Sequence, residues 1–140
     1  MVKKKVIKKI KEIKPIKLAK IVGDSESKNI PKVLIIEEHV DSAINISTIL
    51  DFKGFRTFQA YNREDGIQIA KIENPDLIIL NPVFNGKVQH DLIEILSNTK
   101  MIILKVSDSG EKYTVKKNIL GFLDKPVDKS ELLKLIDSKI

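Results

Sequence analysis

The sequence predicts an α/β fold in which a five-stranded parallel sheet carries helices on both faces. Three short runs, residues 33–36, 77–80 and 101–104, are apolar throughout. Such runs are typical of strands that are buried on both faces of a parallel sheet. Segments with helical periodicity lie between them, so strands and helices alternate from residue 30 onward. This alternation favours right-handed crossovers that place helices on either side of the sheet.

Composition narrows the class of protein. The chain has 140 residues, of which 42% are hydrophobic and 31% are charged, which suits one domain with a single core. No apolar stretch approaches the length of a membrane span, and lysines interrupt the first twenty residues too often for a secretory signal. The absence of cysteine excludes disulfides and thiolate metal sites. We therefore expect a cytoplasmic protein.

The positive charge is concentrated at one end. Residues 1–29 contain ten lysines and three acidic residues, a net charge of +7, whereas the whole chain carries +6. We therefore predict a basic N-terminal arm and linker over residues 1–29 and a domain over 30–140. Val6, Ile10 and Ile13 would share one face of a helix that ends or kinks at Pro15, and two interpretations of the arm remain open. The arm binds nucleic acid, an anionic membrane or a protein, or it is a solvated tail that packs on the domain or a second copy.

The first half of the domain contains two strand–helix units. Asp41 is predicted to cap the first helix, which Gly54 ends. Residues 56–60 form a shorter, more polar strand, as expected nearer an edge. Asn62, with Asp65 three residues later, has the pattern of a second helix start.

The second half continues the alternation. The third strand, 76–80, is followed by an Asn85-Gly86 turn and a short helix over 91–97. A strand ending at Lys105, a helix over 107–118 and a strand ending near Lys125 are predicted next. The last predicted helix follows the capping box Asp128–Glu131. Its inner face consists of Leu132, Leu135, Ile136 and Ile140.

Polar side chains follow the predicted strands at the points where they end. Because the carboxyl ends of parallel strands meet at one edge of a sheet, these side chains are expected to converge there. They supply two carboxylates, one amide and two ammonium groups, from Glu37, Glu38, Asn81, Lys105 and Lys125.

Three segments carry a resemblance to a known family: KVLIIEE at 32–38, PDLIILNP at 75–82 and GFLDKPV at 121–127. Residues 32–140 resemble the receiver domain of two-component response regulators, the CheY-like family. The resemblance implies a flavodoxin-like sheet of order 2-1-3-4-5 and a signalling module that is not an enzyme. In the family, an acidic pair holds Mg²⁺ and an aspartate after the third strand accepts a phosphoryl group from a histidine kinase. A Ser or Thr and a Lys contact that group, and an aromatic residue reports the state to partners.

The sequence departs from the family pattern at the acceptor position, which Asn81 occupies. Lys105 replaces the Ser or Thr, whereas Lys125-Pro126 matches and Phe122 fits the aromatic switch position. The resemblance therefore implies a degenerate pseudo-receiver that binds proteins independently of phosphorylation. No cofactor is expected, and only Glu37 and Glu38 would hold Mg²⁺. We hypothesise that the Lys105 ammonium fills part of the Mg²⁺ space and pairs with Glu37 or Glu38; the alternative is that it points to solvent.

The resemblance also suggests how partners bind. A protein partner is expected at the face of the fourth helix, fifth strand and fifth helix, near Phe122, and a homodimer is a second option. The positive charge of the arm, and not the resemblance, indicates that nucleic acid or a membrane would bind through residues 2–22. No small-molecule substrate is expected, because no phosphate loop or nucleophile–base pair is present. His39 and His90 each lack a partner at ligand spacing and are interpreted as having no metal role.

Overall fold

A five-stranded parallel sheet organises the domain. The computed structural model describes residues 30–106 and 116–139. In chain order the elements are β1 (Lys32–Ile36), α1 (Val40–Phe52), β2 (Arg56–Ala60), α2 (Arg63–Glu73), β3 (Leu77–Leu80), β4 (Val83–Phe84), β5 (Lys87–Val88), α3 (His90–Ile95), β6 (Lys100–Val106), β7 (Ile119–Lys125) and α4 (Lys129–Lys139).

The strand order confirms the predicted topology. The large sheet runs β2-β1-β3-β6-β7, and each neighbouring pair is parallel. Counting only these five strands along the chain, the order is the expected 2-1-3-4-5. Ile36 pairs with Leu80, and Leu80 pairs with Ile103, so the carboxyl ends of the central strands are aligned. The residues that follow β1 and β3 therefore leave the sheet side by side.

Helices cover both faces of the sheet, as predicted, and each face has its own core. We call the side covered by α1 and α4 the first face and the side covered by α2 and α3 the second face. The central strands are buried on both sides, because their residues alternate between the two cores. The first-face core includes Val33, Ile35, Ile79, Leu104, Leu123, Leu132 and Ile136, and the second-face core includes Leu34, Ile36, Leu80, Leu92 and Ile103.

Two of the three predicted helix caps are confirmed. The Asn62 side chain accepts a hydrogen bond from the Asp65 backbone N–H at 2.8 Å, and Asp128 accepts from the Glu131 N–H at 3.0 Å. Asp41 is not a cap, because α1 already begins at Val40, with His39 at the N-cap position. A cap at Asp41 would place the first helical residue at Ser42, so the helix starts two residues earlier than the sequence suggested.

A β-hairpin follows β3 where the sequence predicted only a turn. β4 and β5 pair antiparallel, with Phe84 opposite Lys87, and Asn85-Gly86 forms the two-residue turn between them. Both turn residues have positive φ, 52° and 77°, which is the conformation for which Asn-Gly is favoured. The hairpin connects β3 to α3, which ends at Ile95, two residues earlier than predicted.

Some predictions fall on residues outside the described ranges. They concern the basic arm over 1–29, most of the helix over 107–118, and Ile140. Among the described residues, 30–106 and 116–139, none of the helices has the length and apolar character needed to cross a bilayer.

Candidate functional site

Glu37 and Asn81 lie side by side at the carboxyl edge of the sheet. Each extends its strand by one backbone hydrogen bond: the Glu37 N–H donates to the Ala60 carbonyl, and the Asn81 N–H donates to the Ile36 carbonyl, both at 2.9 Å. Successive side chains of a strand alternate between faces, so Glu37 follows Ile35 and Asn81 follows Ile79 on the first face. The strand geometry therefore directs both side chains into the same space.

The Glu37 carboxylate is the centre of the site. Its side chain has no solvent exposure, and nitrogen atoms surround both of its oxygens. Oε1 accepts a hydrogen bond from the Lys125 ammonium, which also forms an ion pair with it. Oε2 accepts from the Asn81 amide at 3.1 Å and from the His39 backbone N–H at 3.0 Å. A buried carboxylate needs such partners, because an uncompensated charge in the interior is costly.

Both ends of the Asn81 amide are engaged. Its nitrogen donates to Glu37, and its oxygen accepts from the Val83 backbone N–H at 3.1 Å. Only 3% of the residue is exposed. These two hydrogen bonds fix the orientation of the amide. In the inverted orientation its oxygen would face the Glu37 carboxylate and its NH₂ would face the Val83 N–H, so neither pair could form a hydrogen bond.

Lys125 supplies the cation of the site from the end of β7. Its side chain is 13% exposed and reaches across the edge of the sheet to Glu37. The peptide bond to Pro126 is cis. Like Glu37 and Asn81, Lys125 lies on the first face, two residues after Leu123. The ion pair therefore connects β1 to the far edge strand of the sheet.

His39 belongs to the site, although its sequence context did not indicate this. Its Nδ1 lies 3.3 Å from both Glu37 Oε2 and Lys125 Nζ, and its Nε2 lies 3.9 Å from Glu38 Oε2. The ring is 64% exposed. The available signal was its position two residues after Glu37, in the turn where the chain leaves the sheet. His90, in contrast, begins α3.

Glu38 lies at the outer rim of the site. Its side chain is 25% exposed, and its Oε1 accepts a hydrogen bond from the Asn85 backbone N–H at 3.1 Å. This bond fastens the β4–β5 hairpin beside the site. The two acids therefore differ in environment, with Glu37 enclosed by donors and Glu38 near solvent.

Lys105 does not pair with Glu37 or Glu38, in contrast to the hypothesis from the sequence. Its Nζ lies 6.0 Å from the ring centroid of Phe122, in cation–π range. The reason is strand alternation: Lys105 follows Ile103 on the second face, whereas Glu37, Asn81 and Lys125 are on the first. The structure thus brings three of the five predicted rim side chains into one network. Glu38 lies beside that network, and Lys105 projects away from it.

The arrangement does not fit Mg²⁺. This ion requires nearly octahedral oxygen ligands, usually carboxylates that are free to coordinate it. Here N–H donors occupy both Glu37 oxygens, and the Asn81 oxygen is used by the Val83 N–H. Within 30–106 and 116–139, no group of three or more His, Asp or Glu side chains is arranged to hold a metal ion.

Comparison with known proteins identifies the family. A model of the response regulator receiver domain matches residues 33–137. The chain belongs to this family. It is a receiver domain of the CheY-like type, the class of module that operates in two-component signalling.

Individual relatives agree with this assignment. The protein PilH of Pseudomonas aeruginosa is 23% identical over 115 residues, which cover 76% of this chain and 95% of PilH. Sporulation initiation phosphotransferase F of Bacillus subtilis is 34% identical over 71 residues, covering 51% of this chain and 55% of that protein. Among solved structures, the chemotaxis response regulator CheY4 of Vibrio cholerae has a TM-score of 0.65 at 20% identity, covering 80% of this chain and 100% of CheY4.

Proposed function

We propose that this receiver domain does not switch by phosphorylation and instead acts as a constitutive protein-binding module. The observation that carries the proposal is the side chain of Asn81, which stands at the end of β3 and donates a hydrogen bond to Glu37. An acceptor of a phosphoryl group at this position would need to be a nucleophile. A carboxamide is uncharged and its nitrogen lone pair is delocalised, so it makes a poor one.

Within residues 30–106 and 116–139, no neighbouring carboxylate replaces the missing nucleophile. Asp76 precedes β3 at the opposite edge of the sheet, roughly 16 Å from Asn81 at about 3.3 Å per residue. Its carboxylate accepts the Lys32 backbone N–H at 2.8 Å and so has a structural role. Glu37 is enclosed by donors, as described above.

The charge balance supports the same conclusion. Phosphoryl transfer to a carboxylate needs a cation that offsets the charge of the phosphoryl group. In this domain the Lys125 ammonium already neutralises Glu37. With Asn81 uncharged, the enclosed part of the site is balanced without a metal ion. The site is therefore suited to stabilising one conformation.

The partner surface of the proposed module is the face around Phe122. Phe122 lies half-buried on β7, which is an edge strand of the sheet, and Lys105 lies over its ring. Because Lys125 ends the same strand and is bound to Glu37, the closed site holds β7 at its carboxyl end. A protein partner, or a second copy of the chain, would meet a face that does not depend on a phosphodonor.

The experiment is to incubate the full chain with acetyl phosphate and Mg²⁺ and to measure intact mass together with amide shifts of residues 81, 105, 122 and 125. We expect no phosphoryl adduct and no saturable shifts. The matched control is Asn81→Asp, which restores a carboxylate at the acceptor position. A phosphoryl adduct or saturable shifts in the unmodified chain would show that the domain still switches.

A second function is proposed for the basic arm, whose net charge of +7 suits an anionic surface. Binding of nucleic acid or anionic vesicles through residues 2–22 would weaken steeply with salt, because each neutralised phosphate releases counterions. Deleting residues 1–28 is expected to abolish such binding. Full affinity in the truncated chain would assign the binding to the domain.

A further inference from the structure

Asn85 is exposed at the tip of the β4–β5 hairpin, directly before Gly86. We propose that Asn85 is a site of spontaneous deamidation, which adds a carboxylate to the rim of the receiver site, whereas Asn81 is protected from the same reaction. The proposal concerns covalent chemistry of the chain and does not depend on whether the domain switches.

The reaction is an attack of the following backbone nitrogen on the side-chain amide. The Gly86 nitrogen loses its proton and bonds to Cγ of Asn85, the bond from Cγ to the side-chain nitrogen breaks, and ammonia leaves. Water then opens the resulting succinimide at one of its two carbonyls. The products are aspartate, or isoaspartate in which the main chain runs through the side chain.

The surroundings of Asn85 and Gly86 favour this attack. Both residues are exposed, and a Cβ placed on Gly86 would meet no atom within 4 Å. Among the described residues, the Asn85 side chain has no hydrogen-bond partner, and the Gly86 N–H donates to no other backbone group. Without a side chain, Gly86 offers less steric hindrance and more backbone freedom than any other residue.

Asn81 differs at each of these points. It is followed by Pro82, whose nitrogen carries no proton and cannot form the succinimide. Both ends of its amide are hydrogen-bonded, to Glu37 and to the Val83 N–H, and the residue is buried. The chain therefore does not regain an aspartate at the acceptor position by ageing.

Deamidation of Asn85 would alter the outer rim. Its backbone N–H donates to Glu38 Oε1, so the new carboxylate appears beside an existing one. Isoaspartate would also lengthen the main chain by one methylene inside a two-residue turn, which disrupts the pairing of Phe84 with Lys87. We therefore expect aged protein to be more acidic and its hairpin to be less well ordered.

The test is to incubate the full chain at mildly alkaline pH and to follow each asparagine by peptide mass spectrometry with fragmentation that distinguishes aspartate from isoaspartate. Asn98 is the internal control, since it is also exposed but precedes Thr99. We expect Asn85 to lose its amide at least about tenfold faster than Asn98, and the products to include isoaspartate. Asn85→Gln, which retains an amide but cannot form the five-membered ring, should remove the fast reaction.

Three results would overturn the proposal. Asn85 could react no faster than Asn98, its product could be aspartate without isoaspartate, or Asn81 could acquire acid at a comparable rate. The first would show that the hairpin protects its turn, the second that water attacks the amide directly, and the third that Pro82 gives no protection.

Discussion

The amide nitrogen of Asn81 lies 3.1 Å from Oε2 of Glu37, and both side chains are buried. An aspartate at position 81 would face the Glu37 carboxylate at hydrogen-bond distance without a donor between them. The uncharged amide is thus matched to the enclosed acid beside it, and the two residues form one structural unit.

Asn81→Asp is expected to lower the free energy of unfolding by about 2–4 kcal/mol in the absence of Mg²⁺, because it replaces a hydrogen bond by repulsion between buried carboxylates. Mg²⁺ should recover part of this loss in the variant but leave the unmodified chain unchanged. Urea denaturation with and without Mg²⁺ measures both effects. Asn98→Asp, at an exposed position, is the control. An Asn81→Asp variant as stable as the parent without Mg²⁺ would contradict our account of the site.

Lys125→Met should destabilise the domain by about 3 kcal/mol, because it leaves the Glu37 carboxylate buried without its cation. Adding Glu37→Gln should recover much of the loss, since the uncharged amide needs no cation. A double-mutant cycle in urea measures the coupling between the two positions. If the losses in the free energy of unfolding from the two single variants simply add in the double variant, the ion pair between Lys125 and Glu37 does not stabilise the domain.

Gly66→Ala tests the packing of α2 on the end of β1. A Cβ at Gly66 would lie 2.8 Å from Cδ1 of the fully buried Ile36. The expected loss from overpacking is about 1–3 kcal/mol, which exceeds the gain in helix propensity of up to about 1 kcal/mol. Ile36→Val removes Cδ1, so Gly66→Ala should cost less in that background. Thermal unfolding of the parent, the two single variants and the double variant measures the loss of stability caused by Gly66→Ala in each background. An equal loss with Ile36 and with Val at position 36 would mean that the contact with Cδ1 is not its cause.

The ion pair between Arg63 and Asp91 predicts a pH dependence. Arg63 donates to both Asp91 oxygens, at 3.0 and 2.9 Å, and this holds the pKa of Asp91 below its ordinary value of 3.8. A carboxyl whose pKa is lower in the folded state stabilises the fold above its ordinary pKa, and this stabilisation is lost as pH falls through the folded value. Asp91→Asn should therefore unfold at lower urea than the parent at neutral pH, with the difference disappearing in acid.

The difference in stability between Asp91→Asn and the parent should be small, because Arg63 and Asp91 are both accessible to solvent, where ion pairs contribute little to stability. Salt should also reduce the difference between Asp91→Asn and the parent at neutral pH. A difference that persists unchanged into strong acid would show that Asp91 acts through packing or hydrogen bonds and not through its charge.

Much of the fold could be predicted from local patterns. The apolar runs identified the three central strands, because a strand buried on both faces is apolar at every position and these runs are too short for a buried helix. The caps at Asn62 and Asp128 and the Asn85-Gly86 turn could be predicted because each depends on residues close in sequence. The prediction that Asp41 caps α1 was wrong, because the helix begins at Val40 and His39 is its N-cap residue.

The candidate site was less predictable, because its contacts join residues far apart in sequence. The sequence by itself determined that acids, an amide and lysines end the strands, and that the acceptor position holds Asn81 and not aspartate. Tertiary structure alone decided which of them meet. Strand register and alternation place Lys125 on the face of Glu37 and turn Lys105 to the other face. A shift of one residue in β6 would reverse the side to which Lys105 points, and no local pattern near Lys105 fixes that register.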